Sequence, residues 1–306
     1  MLTLLLLTGA LFFVPDVISK DSILEGLLDK HEMLERINGE KIIFIGGSNI
    51  SFGLDSKKVI EKFSKPVVNM GVHANLGLEF TINDVKSYIN KGDVVVLAPE
   101  YENFYTDDFY GMMELVSVLF DIDPSGRKLV DLTQWRHLFK YIPTYSAKKI
   151  KNYIFSPFEK KTSSSIISPY DRKSFNEFGD TYIHWSLPNQ SHLCSKKTNG
   201  SEKINTEVMT FLKNFKEYTE DRQAKLIILP PVIESQSYDS LTNVIDLINK
   251  SLSSNSIPYS AEPVRYKFSS DLFFNTYYHL NKKGVDKRTQ LVIEDLNNIV
   301  AGGKKP

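Results

Sequence analysis

Short apolar runs alternate with helical repeats in two parts of the chain. Four runs are rich in β-branched residues and end at glycine or proline, which is typical of buried strands. These runs lie at residues 41–46, 66–70, 93–98 and 224–229. Segments with apolar positions at helical spacing lie between or after them, at residues 54–63, 76–90, 240–252 and 281–300. Residues 257–260 are a candidate fifth strand.

This alternation predicts the fold class. Continuously apolar strands separated by helices indicate a parallel sheet that is covered on both faces. We therefore expect an α/β protein of three layers, α/β/α, with a five-stranded parallel sheet. In such sheets, functional sites form at the carboxyl ends of the strands. The residues that directly follow each strand are therefore the first place to look for chemistry.

The middle of the chain interrupts this pattern. Residues 105–223 are rich in aromatic residues, serine and lysine, with helical spacing at 112–120 and 129–141. We interpret the region as a helical and loop insertion, a cap over the sheet, between two parts of one domain at 41–104 and 224–306. A cap shapes a substrate pocket in some proteins and only adds stability in others.

The N-terminus is almost wholly apolar from Leu2 to Val14. A helix of this length spans about 20 Å, whereas a bilayer core needs about 30 Å. The run is compatible with a signal-peptide core, an uncleaved anchor that extends to Ile18, a transmembrane helix that begins before this chain, or a buried helix. Because no small-residue cleavage site follows, we favour a membrane anchor over residues 1–20. Residues 21–40 are then expected to form a charged helical stalk.

Charge and cysteine content exclude several classes. Lys plus Arg and Asp plus Glu both number 37, so the basic excess of a nucleic-acid-binding protein is absent. The single cysteine, Cys194, has no partner for an internal disulfide. It stands beside His192, but no glycine-rich turn frames it as a nucleophile. Metal-ligand spacing is missing as well, so we expect neither a metal nor a cofactor.

Two residues are candidates for nucleophilic catalysis. Ser48 follows two glycines between the first strand and a helix, where free backbone N–H groups favour an anion. His279 precedes the last helix among aromatic residues, which would keep its imidazole neutral and basic. Each has a plain structural alternative, a helix cap for Ser48 and a packed side chain for His279. A phosphate-binding loop at Gly46–Gly47 lacks the usual glycine motifs.

Taken together, these motifs resemble the SGNH, or GDSL-like, hydrolase family. Gly46-Gly47-Ser48 resembles its first block, Asn69-Met70-Gly71 its second, and His279 before the last helix its fifth. The resemblance covers roughly residues 41–102 and 224–300. It implies a flavodoxin-like SGNH fold, with Ser48 as nucleophile and His279 as base. It also implies an oxyanion hole from Ser48, Gly71 and Asn103.

The chain departs from the family pattern at three places. Gly47 replaces an aspartate, and Pro99-Glu100-Tyr101-Glu102-Asn103 stands where the family has Gly-x-Asn-Asp. The family's acid, three residues before the histidine, is replaced by Thr276, with Asn275 one position earlier. Asn275 would orient His279 without stabilising its charge. Asp271, Glu100 or Glu102 are alternative acids, and a Ser-His dyad is a further alternative.

The wider context resembles a membrane-attached branch of this family that is associated with bacterial surface polysaccharides. GGSNISFGLDS, PEYENFY and TYYHLNKKG carry this resemblance. It implies a serine esterase or O-acyltransferase acting on acetyl esters of a glycan, or on small esters, on the periplasmic or extracellular side. Two other functions stay open. One is a catalytically degenerate glycan-binding or assembly protein; the other is a nucleotide-binding module at Gly46–Gly47.

Overall fold

A parallel sheet of four strands lies at the centre of the computed structural model, which describes residues 21–155, 167–190 and 202–300. The strands are β1 (Ile42–Gly46), β2 (Val67–Asn69), β3 (Val94–Ala98) and β4 (Lys225–Ile228). Two short strands, β5 (Ile233–Glu234) and β6 (Lys267–Phe268), form a separate parallel pair. The α/β class and the four main predicted strands are confirmed, each strand within one residue at either end.

Helices surround the sheet. They are α1 (Gly26–Arg36), α2 (Ser48–Ser51), α3 (Ser56–Phe63), α4 (Leu78–Lys86), α5 (Met113–Ser117), α6 (Leu132–Leu138), α7 (Ile142–Phe155), α8 (Thr206–Asp221), α9 (Ser235–Ser254) and α10 (Lys282–Val300). A π-helical turn at Val118–Ile122 follows α5. Short 3₁₀ turns occupy Ile23–Glu25, Ala74–Leu76, Tyr101–Phe104, Asp107–Tyr110, Pro124–Leu129, Phe139–Tyr141, Arg172–Ser174, Ile183–Ser186, Pro263–Tyr266 and Ser270–Leu272.

None of the helices in the described ranges combines the length and the apolar character that a membrane crossing requires. The apolar run Leu2–Val14 lies outside the described residues.

Alternate residues of the strands serve two separate cores. Ile43 and Val95 point to a face that is covered by α1, α4, α8 and α9. Phe44 and Val96 point to the other face, which α3 and α10 cover. Both faces of every central strand are therefore dry, which is why these strands read as unbroken apolar runs.

The fifth predicted strand is not present in the described residues. Ser260 donates its backbone N–H to the carbonyl oxygen of Ile228 at 2.7 Å, so the segment does run beside β4. No ladder forms there, and the sheet ends at β4. Pro258 explains this, because proline has no backbone N–H to donate.

Helix α1 does not project as the expected stalk. Leu27 and Leu34 are buried in the same core as the sheet residues. Lys30 is fully buried, and its Nζ donates to the carbonyl oxygens of Asn69, Gly71 and Gly179 at 2.7, 2.6 and 2.6 Å. Burial lowers the pKa of Lys30 to about 7. The helix is thereby fastened to the end of β2.

The boundary of the expected insertion also shifts. Helix α8 falls inside the predicted cap at 105–223, yet its Val208, Leu212 and Phe215 are completely buried in the core of the sheet. It is the helix that connects β3 to β4 across one face. Only the residues that precede α8 are therefore additional to the α/β framework.

The strand order places the candidate site. The order is β2-β1-β3-β4, and all neighbours are parallel. In a sheet of this order the chain leaves β1 and β3 in opposite directions, which opens a crevice at their carboxyl ends. Gly46 ends β1 beside Ala98, which ends β3. Residues after these two positions line the crevice.

Candidate active site

Ser48 is the first residue of α2, directly after β1. The helix continues for one turn only, and Phe52 closes it by donating its backbone N–H to the carbonyl oxygen of Ser48 at 2.9 Å. The hydroxyl of Ser48 is half-buried and lies 3.4 Å from Oε1 of Glu100. No hydrogen bond in the described ranges uses the backbone N–H of Ser48. That donor points out of the helix N-terminus, where an anion is favoured.

Glu100 is a buried carboxyl group at the end of β3. Its Oε1 accepts from the backbone N–H of Asn49 at 3.1 Å and from Asn49 Nδ2 at 3.3 Å. Burial, followed by the nearby charge of Glu102, raises the pKa of Glu100 to about 7. Ser48 therefore stands beside a group that changes charge near neutral pH.

Gly47 provides the space for this carboxyl group. A Cβ at position 47 would lie 2.8 Å from Oε1 of Glu100 and 2.8 Å from Cα of Ala74. Real side chains do not approach so closely, and the Ala74 atom is backbone. Because position 47 has no side chain, its volume is left to Glu100 from the neighbouring strand.

We expect Gly47→Ala to lower the free energy of unfolding by about 1–3 kcal/mol, because overpacking forces the backbone to shift. Urea unfolding measures the change. Gly126→Ala serves as the control. Its Cβ would meet side-chain atoms only, the Phe80 ring at 3.2 Å and Leu119 Cδ2 at 3.3 Å, so we expect a smaller loss of stability. A Gly47→Ala protein as stable as the control would contradict the packing argument.

Arg288 of α10 stabilises the turn that begins at Ser48. It is 1% exposed, and its Nη1 and Nη2 donate to the backbone oxygen and to Oδ1 of Asn49, the latter at 3.0 Å. Burial lowers the pKa of Arg288 to about 10. Arg288, Asn49, Glu100 and Ser48 thus form one buried chain of polar contacts.

His279 is held by a side chain four residues earlier. Its Nδ1 lies 3.0 Å from Oδ1 of Asn275. Because Asn275 Nδ2 donates to the hydroxyl of Tyr170 at 2.7 Å, its Oδ1 is the atom that faces the ring. The ring therefore donates from Nδ1, and Nε2 keeps the lone pair that a general base needs.

The surroundings of His279 keep it neutral. Its ring stacks on Phe52 with 4.2 Å between the ring centroids and 9° between the planes. Burial, followed by the proximity of His184 and His73, lowers the pKa of His279 to about 3. Asn275 carries no charge with which to stabilise the imidazolium. The base is thus correctly oriented but weak.

Tyr170 closes the other side of the imidazole. Its hydroxyl lies 3.4 Å from Nδ1 of His279. Its carbonyl oxygen accepts the backbone N–H of Ile23 at 2.8 Å, and Ser22 forms an antiparallel bridge with Asp171. A residue from the middle of the sequence therefore joins the start of the described chain to the candidate site.

The structure brings the serine turn and the imidazole to one rim. Phe52 belongs to the turn that Ser48 begins, and its ring is in contact with His279. No hydrogen bond in the described ranges joins Ser48 Oγ to either ring nitrogen; the hydroxyl is directed to Glu100 instead.

The expected oxyanion donors differ from one another. The N–H of Ser48 is available, as described above. The N–H of Gly71 donates to Oδ1 of Asn69 at 2.9 Å, so it is already used. Asn103 donates its Nδ2 to the carbonyl oxygen of Glu100 at 3.2 Å and lines a small cleft beside Gly47. In this arrangement the N–H of Gly71 is engaged and not free for an oxyanion.

The alternative acids do not reach His279. Glu102 accepts from the hydroxyls of Tyr278 and Tyr277 at 2.8 and 3.3 Å. Glu100 is engaged with Ser48 and Asn49. Asp271 is linked to the last helix through its backbone oxygen, which accepts from Asn281 at 2.7 Å. Among the acid or amide candidates from the sequence, Asn275 is the one that contacts the imidazole.

One group in the described ranges has metal-ligand geometry. His31, Asp84 and Asp123 place ligand atoms within 4.8 Å of one another. His31 Nε2 is bonded to Oδ2 of Asp84 at 2.7 Å, and Asp123 accepts from Ser125 at 3.0 Å. These contacts already account for the cluster as a hydrogen-bonded contact between α1 and α4.

The sequence analysis did not identify three residues that contribute to the candidate site. Tyr170 lies 109 residues before His279 in a region without periodicity, so no local signal marks it. No feature of the sequence distinguishes Phe52 from a residue of the hydrophobic core. Arg288 had a usable signal, since it lies on the apolar side of the last helix with Val285 and Val292. A charged residue on a buried helix face needs a partner.

Comparison with protein-family models and with curated proteins finds no match for this chain.

Proposed function

We propose that this protein is an SGNH-type serine esterase or O-acyltransferase that acts on ester groups, acetyl esters of a cell-surface glycan in particular. The observation that carries the proposal is the contact of 3.0 Å between Asn275 Oδ1 and Nδ1 of His279. It orients a neutral imidazole on the rim that also holds Ser48. A positioned base beside a serine at a helix N-terminus is the arrangement that acyl transfer requires.

The proposed reaction begins with rotation of the Ser48 hydroxyl from Glu100 towards Nε2 of His279. Nε2 takes the proton as Oγ attacks the carbonyl carbon of the ester. The backbone N–H of Ser48 stabilises the oxyanion. The C–O bond then breaks, and the departing alcohol receives the proton from the imidazolium. Water or a sugar hydroxyl attacks the acyl-serine in turn and gives its proton to Nε2. The bond between Oγ and the acyl carbon then breaks, and the imidazolium returns the proton to Oγ of Ser48.

The finer fold and the location belong to the same proposal. The order β2-β1-β3-β4 is that of a flavodoxin-like sheet without its last strand, which supports the SGNH fold. The apolar run Leu2–Val14 supports attachment to a bacterial membrane, with the domain on its outer side. Glycan specificity rests on the sequence resemblance alone.

A second candidate function is a catalytically degenerate glycan-binding or assembly protein on the same scaffold. Two specific observations favour it. Ser48 donates to Glu100 at 3.4 Å rather than to the imidazole. In addition, the pKa of His279 is lowered to about 3 while an amide replaces the acid that would offset this. Each feature weakens the base that acylation needs.

Covalent labelling with a fluorophosphonate separates the two functions. We expect the probe to modify Ser48, as located by peptide mass spectrometry, and the label to disappear in Ser48→Ala. Labelling should fall about 10²-fold or more in His279→Gln, because the base is lost. Ser240→Ala, a change of an exposed serine on α9, should label like the unaltered protein.

The degenerate alternative predicts the opposite pattern. Ser48 would stay unlabelled although circular dichroism and thermal unfolding report an intact fold. Binding to an acetylated polysaccharide would then be the same for the unaltered protein and for Ser48→Ala.

A further inference from the structure

A second pocket lies between the start of α4, the turn at Asp107–Tyr110 and the first two turns of α8. Its volume is about 270 Å³. Glu79, Glu207, Phe109, Phe211 and Thr210 are among the residues that line it. None of them belongs to the candidate active site, so the pocket requires an explanation of its own.

Glu79 is the unusual residue in this pocket. The residue is 8% exposed, and its Oε2 is buried without a hydrogen-bond partner among the described residues. A buried carboxylate oxygen that accepts no bond is costly, so such groups generally face something that donates to them. Burial, followed by the charges of Asp131 and Glu207, raises the pKa of Glu79 to about 7. Lys86 is the nearby cation, and its charge offsets only part of this rise. The local field therefore stays negative.

Glu207 and two phenylalanine rings determine which ligands this pocket can hold. Glu207 keeps its Oε2 at 2.7 Å from the hydroxyl of Tyr110, which fixes the side chain. Phe109 and Phe211 meet edge to face with 5.5 Å between centroids. Lys86 places its Nζ 4.8 Å from the Phe211 centroid, so this ring already carries one ammonium group. Lys86 donates to Asn83 at 2.8 Å and forms no ion pair with Glu79.

We propose that this pocket binds the primary ammonium group of a small organic molecule, with Glu79 as its main acceptor, Glu207 as a second anion and the phenylalanine rings as walls. An ammonium group supplies the three donors that Glu79 lacks and is attracted to aromatic faces. A metal ion fits less well. Divalent hard cations require a close shell of six or more oxygen atoms, whereas this pocket is partly apolar and far larger than an ion.

The inference does not depend on the activity of Ser48. Titration calorimetry with n-butylammonium chloride at constant ionic strength and pH 8 tests it on the full chain. We expect millimolar binding that weakens about 10-fold in Glu79→Gln, which keeps the shape and removes the charge. Glu217→Gln, an exposed position on α8, the helix that carries Glu207, should bind like the unaltered protein. Binding should also weaken from pH 8 to pH 6 as Glu79 takes up a proton.

Three outcomes would overturn the proposal. One is equal binding of n-butanol, which would indicate a merely apolar pocket. Another is binding of calcium or magnesium chloride in preference to the ammonium salt. The third is unchanged affinity in Glu79→Gln. Since Glu79→Gln removes an unpaired buried charge, we expect it to unfold at a temperature no lower than the unaltered protein. Phe211→Leu provides a second variant, with affinity lowered about 3-fold through loss of the aromatic face.

Discussion

Asn275→Asp is expected to raise the kcat/KM of the proposed ester hydrolysis about 10²-fold. A carboxylate at the position of Oδ1, 3.0 Å from Nδ1, would stabilise the imidazolium that forms when Ser48 attacks. The reverse change, acid to amide, lowers kcat about 10⁴-fold in a serine protease triad. The gain here is smaller, because the new charge is partly buried and must itself be desolvated. The hydroxyl of Tyr170 would donate to it and hold it in place.

Initial rates with p-nitrophenyl acetate between pH 4 and 9 measure this effect. The carboxylate should raise the pKa of His279 above its value of about 3, so the acid limb of the pH–rate profile moves to higher pH. Asn297→Asp, on an exposed part of α10, adds the same charge elsewhere and should leave rate and profile unchanged. A folded Asn275→Asp protein with an unaltered rate would argue against His279 as the base.

Arg288→Met should lower the free energy of unfolding by about 3–5 kcal/mol. Loss of the guanidinium removes both donors to Asn49 and leaves Glu100 without the buried cation at the far end of the network. Breaking one partner of a buried polar network costs this much, because the remaining groups stay desolvated. The same change should loosen the turn that positions Ser48, so fluorophosphonate labelling should slow as well.

Urea unfolding measures the loss, and Lys283→Met is the matched control. Lys283 is exposed on the same helix, so its replacement should change stability by no more than about 0.5 kcal/mol. Adding Glu100→Gln to Arg288→Met should recover part of the loss, since a buried pair that is removed together leaves no unpaired charge. A loss below about 1 kcal/mol for Arg288→Met would mean that the network does not support the turn.

The central strands were predictable for a simple physical reason. A parallel strand that is buried on both faces has apolar residues at every position, so it is visible as a continuous apolar run. Ile42–Gly46 and Val94–Ala98 are fully buried in this way. The edge was harder. Residues 257–260 have strand-like composition, but Pro258 removes a donor and the sheet stops at β4. Helix α1 was misjudged because its charged residues hide a stripe formed by Leu27 and Leu34.

Within the candidate site, the contact between residues close in sequence was predictable and the long-range contacts were not. Asn275 and His279 are four residues apart, so their contact follows from local geometry that a sequence pattern expresses. Glu100 meets Ser48 across 52 positions, and Tyr170 meets His279 across 109. Pairings at that distance depend on the register of strands and on the path of a loop. No pattern of residue spacing predicts such contacts. The contacts of Glu100 with Ser48 and of Tyr170 with His279 were not predicted, although they alter the chemistry most.

Gly47 shows how a missing side chain can admit a group from a neighbouring strand. Because position 47 has no Cβ, the carboxyl group of Glu100 fits there and lies 3.1 Å from the N–H of Asn49. A carboxyl group from β3 therefore stands beside the serine.

The bridge between Ser22 and Asp171 places the start of the domain close to the candidate site. Through Tyr170, the point where the chain enters the domain stands one side chain away from the imidazole. Under the proposed function, whatever holds the molecule by that end, whether a lipid bilayer or an affinity tag on a sensor chip, would lie close to the imidazole. Immobilisation at Asp21 should therefore hinder access far more than attachment at the opposite terminus.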